Sequence, residues 1–437
     1  MSSATSLARR YRSRELSPVE ATQQALAAAE AEQPRLNAFI TLLPQSALEE
    51  ARAAEERFRR NAPLGPLDGV PVAIKDLFHM RGVPTTCASK VLAGFVPDQD
   101  AEVIRRLRNG GAVLIGKTNL HEFAYGSTGE ASAFGPSRNP RNPEYMTGGS
   151  SSGSAAAVGA HICPIALGSD TACSIRTPAS LCGIVGLKPT YGLVPIEGVI
   201  PLSWSQDHIG PMTSTVEDAA LALSVLAGIE LPELRPAGKL RIGLCRELFF
   251  QHLDADVRRA VEGAIARLGE ARQVQIGLLP LAGAAQTLIT AAEAGAFHKH
   301  WLEARPDGYD WSVRNRLEAA REVGARDYVQ ALRLRGRFVR EMAAAFAEVD
   351  VLAMPTTACP APKLGQRQVE LEDTIADATA LLIRNAAPMN FSGFPAISVP
   401  CGESAAGLPI GLQLVAQPWQ EARLLEAAYT YQLLSSR

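Results

Sequence analysis

Between residues 148 and 160 the chain reads GGSSSGSAAAVGA, and it runs directly into an apolar stretch, ICPIALG. This junction narrows the folds open to the chain. Gly/Ser runs on their own resemble flexible linkers. A linker, however, does not lead straight into a buried strand. The small residues therefore predict a helix packed tightly under a loop, where backbone approaches other backbone or a ligand.

Apolar runs and amphipathic helices alternate along the rest of the chain. Ser17 caps a helix over 17–31 with Pro18 in its first turn, and 46–60 forms a second. Val70 to Ile74 reads as a buried strand that ends at Lys75. A helix over 100–109 stops at Gly110-Gly111, and AVLIG follows as a strand. Further strands are expected at 241–245, 349–355, 395–402 and 408–416, and helices at 254–268, 283–302, 326–347 and 420–434. Strands alternating with helices indicate an α/β fold, here a single domain with a mixed, twisted sheet flanked by helices. In this layout residues 1–65 supply N-terminal helices packed on the core. Residues 66–225 form the core that carries the candidate site, and 226–437 complete the sheet on the substrate side. The strongest linker candidate is 359–371, CPAPKLGQRQVEL.

Charge and cysteine content exclude several classes. Forty-three basic against 45 acidic residues argue against a dedicated nucleic-acid binder. No apolar run reaches membrane-spanning length, and the N-terminal residues lack the apolar region of a secretory signal. The seven cysteines are odd in number and without CxxC spacing, which reads as reduced thiols in the cytoplasm. His298, His300 and Glu293 are far from a zinc motif, and neither a metal nor an organic cofactor is expected.

Three motifs compete for attention. Gly111 to Thr118 fits GxxxxGK[ST], but its variable positions, Ala-Val-Leu-Ile, are themselves a strand, whereas a phosphate loop must be a loop there. Ser151 sits in a GxSxG pattern without the preceding apolar strand that a nucleophile elbow needs. Cys173 has no histidine within ten residues to lower its pKa and reads as a small buried residue.

A different grouping accounts for these segments together. GVPVAIKD ends near Lys75, GGSSSGSAAAV contains Ser150, and GSDTACSIRTPASLCGIVGLKPT contains Ser174. With GAVLIGKTNLHEFAYGS, NPRNP, VDVLAMPTT, NFSGFPAISVPCG and GLPIGLQLVAQPWQE, they resemble the amidase signature family over most of the chain. The resemblance implies a Ser–cisSer–Lys triad: Ser174 as nucleophile, Ser150 as relay after a cis peptide at Gly149, and Lys75 as general base. It also implies an oxyanion hole from the backbone N–H groups of Thr171, Ala172, Cys173 and Ser174. Elementary chemistry agrees. A serine hydroxyl needs a base within reach, and a lysine serves only when desolvation lowers its pKa. A lone strand-end lysine would otherwise pair with an acid such as Asp76. The usual family segment reads DTGGSIR, whereas this chain has Ala172 and Cys173 at the glycine positions. Side chains there carry a steric penalty if the backbone needs φ > 0. Asp170 and Arg176 are expected to brace this loop.

For the substrate, the first half resembles the glutaminase subunit of glutamyl-tRNA amidotransferases, which works with partner subunits. The segments EAGAFHKHWLEARPDGYDWSVRNRL and AQPWQEARLLEAA resemble carboxybiuret- and allophanate-type amidases. No acid stands in Leu382 to Ala386, where the glutaminase resemblance implies one, and Arg384 has the opposite sign. The expectation is therefore an amidohydrolase cleaving a small-molecule amide or urea-type C–N bond. Its expected partners are that substrate and at most a second copy of the chain, with no nucleic acid and no membrane. The alternatives are one subunit of an amidotransferase or a non-catalytic binding subunit. Tyr125, Gly148, Gly149, Trp204 and Arg384 are the pocket candidates, and the Arg333/Arg335/Arg337 group is a weaker carboxylate site.

Overall fold

A computed structural model describes residues 2–435. Thirteen strands occur in chain order: β1 (Phe39–Leu42), β2 (Pro71–Lys75), β3 (Val113–Thr118), β4 (Ile165–Asp170), β5 (Val185–Lys188), β6 (His208–Thr213), β7 (Ile242–Leu244), β8 (Ala271–Gln273), β9 (Val351–Pro355), β10 (Gln368–Glu370), β11 (Ile375–Asp377), β12 (Ala396–Glu403) and β13 (Pro409–Val415). Eleven of them form one mixed sheet in the order β1-β3-β2-β4-β6-β5-β12-β13-β9-β7-β8, flanked by helices. β3, β2 and β4 run parallel, β6 to β13 are joined by antiparallel pairings, and β9, β7 and β8 return to parallel. β2, β3 and β4 are buried along their whole length, which is why they read as continuous apolar runs rather than alternating ones.

The expected helices form, though the first runs on to Leu36 and the one expected from 283 already starts at Leu279. Ser17 and Glu20 make a reciprocal capping box before Pro18–Leu36, and a further helix covers Pro44–Arg59. The Gly/Ser/Ala run becomes the helix Ser152–Gly159. A Cβ on Gly153 would lie 2.2 Å from the Ala38 carbonyl oxygen and 2.5 Å from the Asn119 nitrogen. Only glycine allows that approach, which seats the helix against the loop after β3. Gly111–Thr118 leads into β3, as the apolar spacing implies. Lys117 is fully buried in an ion pair with Asp76 at 2.7 Å.

Other elements go beyond the sequence expectations. A helix over Ala4–Arg12 is held by Asp218, which accepts from the Ala4 and Thr5 nitrogens. β1, β5, β6 and β8 join the sheet as well. The proline-rich segment at 359–371 is no linker. The Pro362 carbonyl accepts from Met146 N–H at 2.9 Å, and Leu364 N–H donates to Glu144 at 2.9 Å. Prolines lack N–H groups but keep their carbonyls, so the segment packs over the loop that leads to Gly148. It continues into the hairpin of β10 and β11. Among the described residues no helix is long and apolar enough to cross a membrane.

Candidate active site

Parallel pairing puts the carboxyl ends of β2 and β4 side by side, with Val72 opposite Ile165 and Ile74 opposite Leu167. Clefts beyond strand carboxyl ends are where open α/β sheets bind ligands. Lys75 is the last residue of β2. The loop before Ser152–Gly159 brings Ser150 and Ser151. The turn after β4 brings Ser174, just ahead of the helix Arg176–Cys182.

The Lys75 side chain is completely buried. Its Nζ lies 2.7 Å from Ser150 Oγ, 2.8 Å from Ser169 Oγ and 3.0 Å from Ser151 Oγ. Asp76, its neighbour in sequence, is taken by Lys117. Burial pulls the Lys75 pKa down to about 7, against the opposing pull of Asp170 and Asp207. The Gly149–Ser150 peptide is cis. Ser174 lies against this loop: its carbonyl accepts from Ser151 N–H at 3.2 Å, and Cys173 Sγ sits 3.8 Å from the Gly149 carbonyl. Ser151, considered in the sequence only as the centre of a GxSxG pattern, is here a contact of Lys75, and Ser169, hidden in an apolar strand, is another that the sequence does not single out.

Among the described residues, the N–H groups of Ala172, Cys173 and Ser174 have no hydrogen-bond acceptor. Neither Ala172 nor Cys173 has positive φ. The expected steric penalty is therefore absent, because this backbone does not use the freedom of glycine. Burial pushes the Cys173 thiol up to about 12, so it stays protonated at neutral pH.

Asp170 and Arg176 hold the turn from below, both at zero side-chain exposure. The guanidinium grips the carboxylate through Nε and Nη2, each at 3.0 Å, while Nη1 reaches the Ala386 carbonyl at 2.9 Å and Gln413 Oε1 at 2.6 Å. The carboxylate also accepts from Ile175 N–H. Burial raises the Asp170 pKa, but Arg176 outweighs it and leaves the carboxyl well below the usual range.

Ser174 opens onto a cavity of about 280 Å³ whose walls include Tyr125, Ser127, Ala172, Gln286 and Ile383. The single charged side chain in that wall is Arg316. Its guanidinium donates to the Tyr125 carbonyl and stacks 5.6 Å from the Tyr125 ring centroid. Tyr125 lines this cavity, and the other pocket candidates do not. Arg384 points away and donates to the carbonyls of Gln251 and His252, because the helix Ala378–Ile383 turns Ile383 inward instead. Trp204 is 42% exposed at the surface, where its carbonyl accepts from Tyr191. Gly148 and Gly149 lie in the buried loop behind Ser150 and do not line the cavity. Arg335 stacks 5.6 Å from the Tyr191 ring centroid and is not in the wall either.

The profile of the amidase family matches residues 20–425. The A-type chain of the glutamyl-tRNA(Gln) amidotransferase from Geobacter metallireducens is 40% identical over 468 aligned positions, covering 97% of this chain and 95% of that protein. Among solved structures, an amidase superposes with a TM-score of 0.94 at 35% identity, covering 99% of both chains. Another is described as part of an unexpected vestigial protein complex that reveals the origins of an s-triazine catabolic enzyme. It superposes with a TM-score of 0.94 at 34% identity, covering 99% of this chain and 98% of that one.

These relatives correct two expectations. The free-standing hydrolase of a small-molecule amide does not stand, nor does a partner set limited to that substrate and a second copy. Relatives matched over nearly their whole length are named as one subunit of a glutamyl-tRNA(Gln) amidotransferase. The sequence reading gave weight to short C-terminal segments and to Arg384, and Arg384 does not reach the pocket.

Proposed function

The chain belongs to the amidase family and is an amide-cleaving hydrolase, and from that premise we propose that it is the amide-cleaving subunit of an amidotransferase assembly like that named for its relatives. In this reading Ser174 attacks the side-chain amide of a donor such as glutamine. Ammonia leaves, and an acyl-enzyme remains for water to clear. Ser150 carries the Ser174 proton to Lys75 and later returns it to the leaving nitrogen. The N–H groups of Ala172, Cys173 and Ser174, with Thr171 at the edge of the turn, stabilise the oxyanion.

The observation that carries the mechanism is the Lys75–Ser150 contact of 2.7 Å around a fully buried amine. A neutral lysine has one lone pair to offer. In this reading that lone pair takes the hydroxyl proton of Ser150, whose Oγ has no other acceptor among the described residues. Arg316 supports a donor with a carboxylate, because a guanidinium in an otherwise uncharged wall favours an anionic group. Full-length identity to members of an assembly supports protein partners. Unpaired cysteines, six of seven buried, suit a cytoplasmic setting.

The test is ammonia release from glutamine by the full chain with whatever subunits copurify with it, using Ser174→Ala as control. Release that vanishes in the variant is the expected result. No release from glutamine with the partner proteins present would sink the reading.

The pH dependence has a definite sign. Protonated Lys75 cannot accept the Ser150 proton, so activity requires the neutral amine. With its pKa near 7, kcat/KM is expected to rise through about pH 7 and level off about one unit above. A profile flat between pH 6 and 9 would rule out Lys75 as the base.

A further inference from the structure

Three successive carbonyls in the turn ahead of Ser174 are each gripped by a side chain. Asp170 O accepts from Asn390 Nδ2 at 2.6 Å, and Ala172 O from Arg176 Nη2 at 3.3 Å. These two grips belong to the buried network around the Asp170–Arg176 ion pair, since Arg176 also donates to Asn390. The middle grip comes from elsewhere. Thr171 O accepts from Gln286 Nε2 at 3.2 Å, and Gln286 stands 115 positions later, on the helix Leu279–Ala304. Gln286 is buried in the wall of the Ser174 cavity and has no part in the path from Ser174 through Ser150 to Lys75.

Thr171 O and Ala172 N–H belong to the same peptide unit. That unit is planar and trans, because Gly149–Ser150 is the one cis bond among the described residues. In a trans peptide the C=O and the N–H point in opposite directions. Whatever holds Thr171 O therefore sets where Ala172 N–H points, and that N–H has no acceptor among the described residues. The Thr171 side chain is held separately, by its Oγ1 donating to Asp207 Oδ1 at 2.6 Å. That bond fixes the residue but not the peptide plane that follows it. Gln286 fixes the plane.

The Gln286 amide fits only one way round. A carbonyl oxygen only accepts, so the nitrogen must face Thr171. The same nitrogen donates to Thr290 Oγ1 at 3.0 Å. Gln206 Nε2 reaches that hydroxyl at 3.1 Å and Ser203 Oγ at 3.1 Å, and Ser203 donates to Glu293 Oε2 at 2.7 Å. Both ends of this chain accept, Thr171 O at one and Glu293 Oε2 at the other, and two glutamine amides supply the N–H groups between them. None of these side chains belongs to a residue more than 6% exposed, so the amide has no room to swing away.

We propose that Gln286 is a positioning residue for amide cleavage, holding the Thr171–Ala172 peptide so that Ala172 N–H meets the oxyanion formed at Ser174. Preorganised donors work because they need not reorient as charge develops. A peptide plane free to turn would lose that advantage with every donor still present. The proposal rests on Ser174 as the nucleophile in the reading above, and not on which amide is cleaved.

The test uses the full chain with the subunits that copurify with it. Gln286→Met fills the space without a donor, and Gln286→His keeps an N–H at similar reach. Each is read by ammonia release from glutamine and by the rate at which a fluorophosphonate labels Ser174, followed by intact mass. The labelling reaction builds charge on the phosphoryl oxygen, so it needs the same N–H groups but no fitted amide donor. Gln286→Met is expected to lower kcat and the labelling rate together by about ten- to a hundred-fold, less than outright loss of an oxyanion donor, with KM within about two-fold. Gln286→His is expected to stay within about five-fold of wild type in both. A raised KM with unchanged labelling would mean that Gln286 touches the substrate, and the proposal would fall. Equal losses in the two variants, unchanged rates in Gln286→Met, or failure of that variant to fold would each overturn it as well. If wild type is labelled but releases no ammonia from glutamine, the glutamine reading falls and the labelling rates alone decide this one. If wild type reacts with neither, Ser174 is not the nucleophile and both fall.

Discussion

Replacing Lys75 with methionine is expected to lower kcat on the order of 10⁴- to 10⁶-fold, and Ser174→Ala by a similar factor. The reason is the lack of a substitute. Among the described residues no other base touches Ser150, and the Cys173 thiol, with its pKa pushed up to about 12 by burial, is protonated and buried. Methionine follows the lysine chain as far as Cε and fills nearly the same volume without an amine. Stability should fall by about 1–3 kcal/mol, since a desolvated amine is removed but the hydroxyls of Ser150, Ser151 and Ser169 all lose its contact. The decisive measurement is the double variant. Groups on one proton chain fail as a unit, so Lys75→Met with Ser174→Ala should be no slower than either alone. Single-turnover ammonia release reads this directly. If the two losses multiplied, the shared proton chain would be wrong.

The second large effect concerns folding. Asp170→Ala should cost about 3–5 kcal/mol, because it strands the Arg176 guanidinium at zero exposure. The remaining acceptors, Ala386 O, Ala172 O, Gln413 Oε1 and Asn390 Oδ1, carry no formal charge. Urea unfolding would show the loss. Adding Arg176→Met should restore part of it, since an apolar pair no longer buries an unpaired charge. The pH sign follows from the lowered Asp170 pKa. The folded state binds this proton less readily than the unfolded chain, so the stabilisation is complete above about pH 5 and is lost as pH falls toward the folded value. If Asp170→Ala were as stable as wild type, the ion pair would not be what holds the turn.

Much of this architecture is written locally. The Ser17 cap, the buried runs at β2 and β3 and the small-residue helix are decided by neighbours in sequence, and each forms where its pattern indicates. The contact of Lys75 with Ser150 likewise follows from motifs whose strands lie side by side. Arg316 was not legible. It shares the helix Trp311–Ala319 with Arg314, and only the packing of that helix distinguishes the inward one. Arg384 drew attention through its sign alone, yet its orientation is fixed by carbonyls more than 130 positions earlier. Ser169 shows the same limit from the other side: a strand residue becomes a contact of Lys75 only once β4 pairs with β2.

The reach of Arg176 also has a temporal meaning. Its acceptor Gln413 lies 237 positions later, on the strand beside β12 in the other half of the sheet. A chain emerging from the ribosome presents Lys75, Ser150 and Ser174 long before that glutamine exists to receive the guanidinium. Until β13 is in place, the turn that carries Ser174 lacks its floor. In the proposed reading the growing polypeptide thus carries Lys75, Ser150 and Ser174 in an unassembled form, and their turn closes only once β13 has followed.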